Sequence, residues 1–474
     1  MAEENFEQGI LSIMIFITLN TIGFDREWIL HKSKVVTKYF KHSLRIIEHL
    51  NPQIDCECVG SAAEGVSLSD SDCDCMIIMK DTFCVDTAYI CKGFNVLETD
   101  YTNAAPGYVK LVFLHGDEDS PICVYLQQSE LYKTRLGSSY ISSPIFMNFL
   151  IQNLQTLIKI IFPPFISKLT SNGPAITSGS NDNALAIYFY GGCHLNNLSK
   201  RLRYYHWPSV SLIQEITSME GYVVPVGHKF SDSQNIEWRV CYTTAELKLI
   251  KSLTDVQLKF YVLLKCVAKE IVKKNCKDIT SYIVKNVVFW IVETEPEQAF
   301  TPTHLVKLLK KAIMFIKYCL QNNHLPNYMI PERNLIRENM NGKEKRKIIK
   351  DLKEYEDFAI LLGKVPKLCQ CMSFVYQIFE LPQINLYKEW RKQVGRCLQA
   401  MALCKVEKVQ LNMLSKRTVH MDMTWEFFKD IRFWPIMTTL LDLTVPDWMD
   451  LAMWWSIEHM LQLFLSRINA CPCL

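Results

Sequence analysis

The stretch VGSAAEGVSLSDSDCDCMIIM (residues 59–79) decides how this chain is read. Gly60-Ser61 stands between a short strand and a short helix. A glycine there lets backbone N–H groups approach a phosphate, and the serine hydroxyl adds a donor. The spacing is not that of a P-loop, because G-x-x-x-x-G-K-[ST] is absent. Asp72 follows, then Cys73 and Asp74, opening an apolar strand. Residues i and i+2 of a strand point to one face, so Asp72 and Asp74 project together, about 6–7 Å apart. Two carboxylates so placed suit divalent cations that clamp a triphosphate. Cys73, Cys75 and Ile77 then face the core. A lone D-x-D is more often a solvated turn; the preceding G-S turn is what makes this one specific.

Outward from that segment the texture changes twice. DCDCMIIM (72–79), YVKLVFL (108–114), ICVYL (122–126), ALAIYFY (184–190), YVVPVG (222–227) and EWRVCYT (237–243) read as strands. Asp25 to Glu48 reads as one long helix, and helical pattern recurs near 144–161. From Asp255 the pattern is helical over 255–274, 279–292, 302–321, 343–362 and 384–403. The organisation expected is therefore an N-terminal segment (1–24), a mixed α/β core (25–254), a helical lobe (255–376) and a helical extension (377–474). The extension is rich in Trp and packs on the rest in this reading.

The 474 residues are 49% hydrophobic and 21% charged, enough for a buried core and against wholesale disorder. With 52 basic and 49 acidic residues the net charge is only +3, so any nucleic-acid contact needs a local basic patch. The 18 cysteines form no C-x-x-C pair, and they read as reduced thiols of a cytosolic or nuclear protein. Gly9 to Phe24 is uncharged and apolar but follows Glu3, Glu4 and Glu7, unlike a signal peptide. It is shorter than the ~20 residues of a membrane span, so a packed N-terminal helix is expected and a membrane partner is not.

The 59–79 segment resembles the nucleotidyltransferase motif of the cyclic GMP-AMP synthase-like and male-abnormal-21-like (Mab-21) family. Further matches extend over roughly 28–375: EWRVCYTTAE (237–246), YVLLKCVAKEI (261–271), ITSYIVKNVVFWIVE (279–293) and LPNYMIPERNLI (325–336). The pattern is most similar to the invertebrate members. The resemblance implies an α+β, bilobal nucleotidyltransferase fold: a mixed β-sheet core with a long N-terminal helix, plus a helical C-terminal lobe. It implies Gly60 and Ser61 as the phosphate-binding turn and Asp72 and Asp74 as catalytic, metal-binding acids. Arg239 then reaches a nucleotide base, Lys265 and Ser281 contact phosphates, Tyr282 stacks on a base, and Lys285 follows in the same pattern. The implied cofactor is Mg2+ or Mn2+, and the implied partners are ATP, GTP or other nucleoside triphosphates.

Two departures stand out. The family's third acid lies on a later strand, and in NDNALAIYFYGGC (181–193) the position aligned to it is Ala186. Asp182 is the nearest carboxylate, four residues earlier, about 13 Å away along an unshifted strand. Losing that acid would leave triphosphate binding intact and slow transfer. Second, Glu246 to Phe260 holds no His/Cys ligand cluster, so no structural zinc is expected. Basic patches for a double-stranded RNA or other nucleic-acid activator are the 25–48 helix, Lys269, Lys273, Lys274 and Lys277, and GKEKRKIIKDLK (342–353); each is equally a solvated helix face.

Three readings follow. One is a nucleic-acid-sensing, metal-dependent nucleotidyltransferase making a cyclic dinucleotide second messenger in innate immune signalling, in the cytoplasm or nucleus. Another is a catalytically impaired protein of the same fold that binds nucleotide or nucleic acid as receptor or scaffold. The third is an interaction protein whose cleft is closed by its own side chains.

Overall fold

In a computed structural model, the described residues are 2–34, 36–37, 53–68, 71, 73–87, 91–117, 120–133, 139–149, 151–152, 170–172, 175–178, 181–191, 193–272, 279–336, 342–354, 361 and 364–379. Asp72, Lys273, Lys274, Lys277 and the extension beyond residue 379 lie outside them, as do Lys38, Lys41 and Arg45.

Strands dominate up to Cys241. They are β1 (Ile54–Val59), β2 (Cys73–Val85), β3 (Asn95–Asp100), β4 (Tyr108–His115), β5 (Glu130–Lys133), β6 (Ser139–Ile141), β7 (Thr170–Asn172), β8 (Ala175–Ser178), β9 (Asn181–Phe189), β10 (Gly221–Val224) and β11 (Glu237–Cys241). They form one mixed sheet in the order β1-β2-β3-β4-β11-β10-β9-β8-β7, and a further β2–β9 pairing closes the path on itself. β2 runs parallel to β3 and β9, and the remaining pairs are antiparallel.

The helices are α1 (Ala2–Thr21), α2 (Gly60–Glu64), α3 (Pro121–Gln128), α4 (Cys193–Lys200), α5 (Val210–Thr217), α6 (Thr243–Ser252), α7 (Asp255–Val267), α8 (Ser281–Thr294), α9 (Leu305–Gln321), α10 (Gly342–Glu354) and α11 (Pro366–Phe379). Residues 26–34 are also helical, as the 25–48 pattern predicts for its described part. α7 starts on a reciprocal cap, Thr254 with Gln257, and α8 on Thr280, whose Oγ1 accepts from the Ile283 N–H. One continuous apolar core joins the two halves, running from Cys75, Ile77, Met79 and Ile187 of the sheet to Leu249, Phe260, Leu264 and Val288 of the helices. The expected core facing of Cys75 and Ile77 is met. α1 buries Ile15 and Leu19 against the helical half and leaves Phe6, Ile10, Ile13 and Met14 exposed. By length and composition Phe6–Lys34 would also serve as a membrane span.

One predicted strand is a helix. ICVYL lies in α3, where Ser120 caps the start, Pro121 occupies the first turn, and Ile122, Cys123 and Leu126 are buried. A five-residue apolar run carries no period of its own, and the Ser-Pro pair ahead of it sets the helix.

Candidate active site

The site is built where β2 and β9 begin. Their parallel register pairs Asp74 with Asp182, residue against residue, with Val59 on the other side of Asp74. Neighbouring strands lie about 4.8 Å apart, so the two carboxylates leave the same face of the sheet side by side. Ala186 pairs with Ile78, four residues further in, and is buried among Met76, Ile78, Tyr222 and Val224. Asp182, and not Ala186, is therefore the residue that stands beside Asp74. Both strands open on their acids and turn apolar afterwards, so the acid belongs at the strand's mouth and not within its apolar run.

Asp74 and Asp182 line a cavity of about 650 Å³ between the sheet and the helical half, within the range of small-molecule sites. Gly60, Tyr108, Arg239, Thr243, Glu246 and Tyr282 also line it, with Lys285 and Arg333. Of the residues singled out from sequence, Gly60, Asp74, Arg239, Tyr282 and Lys285 come together there. Ser61, Lys265 and Ser281 are not among the described lining residues: Lys265 is buried with its Nζ donating to the Val66 carbonyl at 3.0 Å, and Ser281 is exposed at the start of α8. Burial pushes the Lys265 pKa below its ordinary value, with Glu64 opposing.

Gly60 explains itself at this point. Its φ is +66°, and a Cβ on it would sit 1.9 Å from Asp74 Oδ2. Gly60→Ala is expected to cost about 1–3 kcal/mol in backbone strain alone and to displace the Asp74 carboxylate. Urea unfolding and nucleotide binding of the variant, measured together, check both effects.

Behind the cavity lies an ion network that sequence reading missed. Lys285 Nζ bridges Glu246 at 2.6 Å and Glu64 at 3.1 Å. Tyr261 donates to the other Glu64 oxygen at 2.9 Å, and Tyr282 donates to Glu246 at 2.9 Å. Asn327 Nδ2 donates to the Tyr282 hydroxyl at 2.8 Å. Burial alone would lower the Lys285 pKa, but Glu246 and Glu64 outweigh it and hold it well above the usual lysine range. Burial and Glu246 push the Tyr282 hydroxyl upward as well. The network ties α2, which begins at Gly60, to α6, α7 and α8.

The opposite wall is fixed by Glu237, fully buried, which accepts from the N–H groups of Ala105 (3.0 Å) and His228 (2.9 Å) and from Ser231 Oγ (2.7 Å). This holds His228, Lys229 and Phe230 at the cavity. Arg239 Nε is buried with no hydrogen-bond partner, the mark of a site that expects an acceptor.

Residues 243–354 match the family model of the Mab-21 protein HhH/H2TH-like domain. This part of the chain, residues 243–354, is similar to the Mab-21 family. The matched residues run from α6 through α10, so the Mab-21 domain supplies Thr243, Glu246, Tyr282, Lys285 and Arg333 to the cavity, while the sheet supplies the acids. The sheet followed by this domain is the α+β nucleotidyltransferase-like fold of the Mab-21 proteins.

Asp74 and Asp182 are hard oxygen donors on adjacent strands. Magnesium is characteristically held by one or two carboxylates together with substrate phosphates, and the pair fits that chemistry. Among the described residues no group of three His, Cys, Asp or Glu forms a metal cluster; Asp72, two residues before Asp74, lies outside them.

Proposed function

We propose that the chain is a metal-dependent nucleotidyltransferase that joins nucleoside triphosphates into a cyclic dinucleotide second messenger once a nucleic-acid ligand engages it. The observation that carries this reading is the in-register pairing of Asp74 with Asp182 on the floor of the cavity. The receptor or scaffold reading rested on a missing third carboxylate, and a carboxylate beside Asp74 favours the enzyme.

In this proposal Asp72, Asp74 and Asp182 hold Mg2+ or Mn2+. Bound there, the cation neutralises triphosphate charge and makes an attacking hydroxyl more acidic. Gly60 lets the turn with Ser61 approach the phosphates, and Lys265 steadies that turn through Val66. Ser281 contributes a phosphate contact at the mouth of α8. Arg239 offers its unpartnered donor to a base, and the Tyr282 ring stacks on one. The activator, double-stranded RNA or another nucleic acid, is held by phosphate contacts to basic outer faces such as Arg346, Lys347, Lys350 and Lys353, all exposed on α10. A cytoplasmic or nuclear setting is part of the proposal; Cys56, Cys58, Cys75 and Cys84, among others, are free thiols.

The test is a product assay. Purified chain is incubated with labelled ATP, GTP, CTP and UTP, magnesium or manganese, and long duplex RNA or DNA. A phosphatase-resistant product, lost in Asp74→Asn, is expected. Nucleotide binding without product under any activator would return the chain to the receptor or scaffold class.

A further inference from the structure

We propose that Arg333, laid against Tyr108, reads the acceptor edge of a guanine base and makes GTP the preferred nucleotide at this end of the cavity. The inference rests on the nucleotidyltransferase reading of the same cavity and names one of its substrates.

Arg333 is presented by a braced loop. The chain from Leu325 to Ile336 closes on a Pro326–Asn334 bridge. Asn334 Oδ1 accepts from the N–H groups of Leu325 and Ile336 at 3.0 and 3.1 Å, and the Arg333 carbonyl accepts from the Asn327 N–H at 2.9 Å. Asn327 in turn donates to the Tyr282 hydroxyl. Arg333 is thus tied to the side chain expected to stack on a base.

Its guanidinium carbon lies 5.5 Å from the centre of the Tyr108 ring. The stem runs beside Gly107, where an added Cβ would stand 2.8 Å from Arg333 Cδ at a φ of +79°. A planar group on an aromatic face keeps its donor edge directed outward.

That edge is uncompensated. Arg201 and Arg203 share Glu293 at 3.3 and 2.9 Å, but among the described residues no carboxylate forms an ion pair with Arg333. Arg239 pairs with Tyr108 across the sheet, and its Nε is buried without a partner. Two guanidinium groups therefore flank Tyr108 in a cavity whose carboxylate pair, Asp74 and Asp182, lies on other strands. A triphosphate belongs with the carboxylates and their cation, which leaves the base for the arginines. Guanine offers O6 and N7 side by side, the acceptor pair a guanidinium fork matches. Adenine puts an amino donor where O6 would be, and pyrimidines lack N7.

The test measures equilibrium binding of labelled GTP, 7-deaza-GTP, ATP, CTP and UTP, each with magnesium, to the full chain and to Arg333→Ala and Arg333→Lys. The native chain is expected to bind GTP on the order of tenfold more tightly than ATP, with 7-deaza-GTP falling toward ATP. Arg333→Ala is expected to remove that preference and leave ATP little changed. Arg333→Lys restores the charge but not the preference, because an ammonium is a point charge. Equal losses for all nucleotides would mean that Arg333 holds phosphate and would overturn the inference, as would a GTP preference that survives Arg333→Ala. Binding of none of the five would overturn the nucleotidyltransferase reading itself, and this inference with it.

Discussion

Asp182→Asn slows product formation by about three orders of magnitude, while nucleotide still binds and the unfolding midpoint stays near that of the native chain. Asn preserves size and removes the charge that the proposed cation would require. A Lewis-acid contribution of several kcal/mol, at about 1.4 kcal/mol per tenfold in rate, sets the scale. Ala186→Asp is the companion variant. It puts a carboxylate among Met76, Ile78, Tyr222 and Val224, where an unpaired buried charge costs about 3 kcal/mol or more. It lowers the urea midpoint and does not rescue Asp182→Asn. Full activity in Asp182→Asn, with Ala186→Asp folding normally, would return the third-acid position to residue 186.

Lys285→Met destabilises the chain by about 3–5 kcal/mol, because it leaves Glu64 and Glu246 buried without their shared cation. Glu64 and Glu246 are 4% and 5% exposed at the side chain, too little for water to compensate. Adding Glu64→Gln and Glu246→Gln to Lys285→Met recovers most of the loss, since the repulsion and the stranded charges go together. The pH dependence has a definite sign. The Lys285 pKa is raised in the folded chain by Glu246 and Glu64 against burial. Its contribution is complete below the ordinary lysine value and is lost only as pH climbs through the raised one. Urea titrations at pH 7 and pH 10 should therefore show little change in the gap between native chain and Lys285→Met. Equal midpoints for the two proteins at pH 7 would mean that the triad holds nothing together and that Lys285 is kept for ligand alone.

Much of the site was legible because local chemistry constrains it. The G-S turn ahead of D-C-D, the polar-to-apolar switch into β2 and the inward facing of Cys75 and Ile77 all follow from the two-residue period of a strand and the backbone freedom of glycine. Arg239 and Tyr282 reached the cavity as the resemblance implied. Lys265 shows the limit: buried lysine and surface lysine are written with the same letter, and only the Val66 carbonyl at 3.0 Å distinguishes them. Glu237 and Glu246 carried no sequence signal either, since a buried acid is recognisable only by the donors that surround it.

By itself, then, the amino-acid sequence determined a mixed-sheet core followed by helices, a glycine turn ahead of the second strand, and an acid, Asp74, at that strand's mouth, because each depends on residues close together in the chain. Only the tertiary structure decided which later acid stands beside Asp74. That is a question of register between β2 and β9, strands more than a hundred residues apart, whose alignment is set by the pairing of Cys75 to Met79 with Asn183 to Ile187. A shift of four residues there would exchange Asp182 for Ala186. What prevents it is the apolar packing of Met76 and Ile78 on Ala186, which leaves the carboxylates at the open end of the sheet, where a charged ligand can reach them.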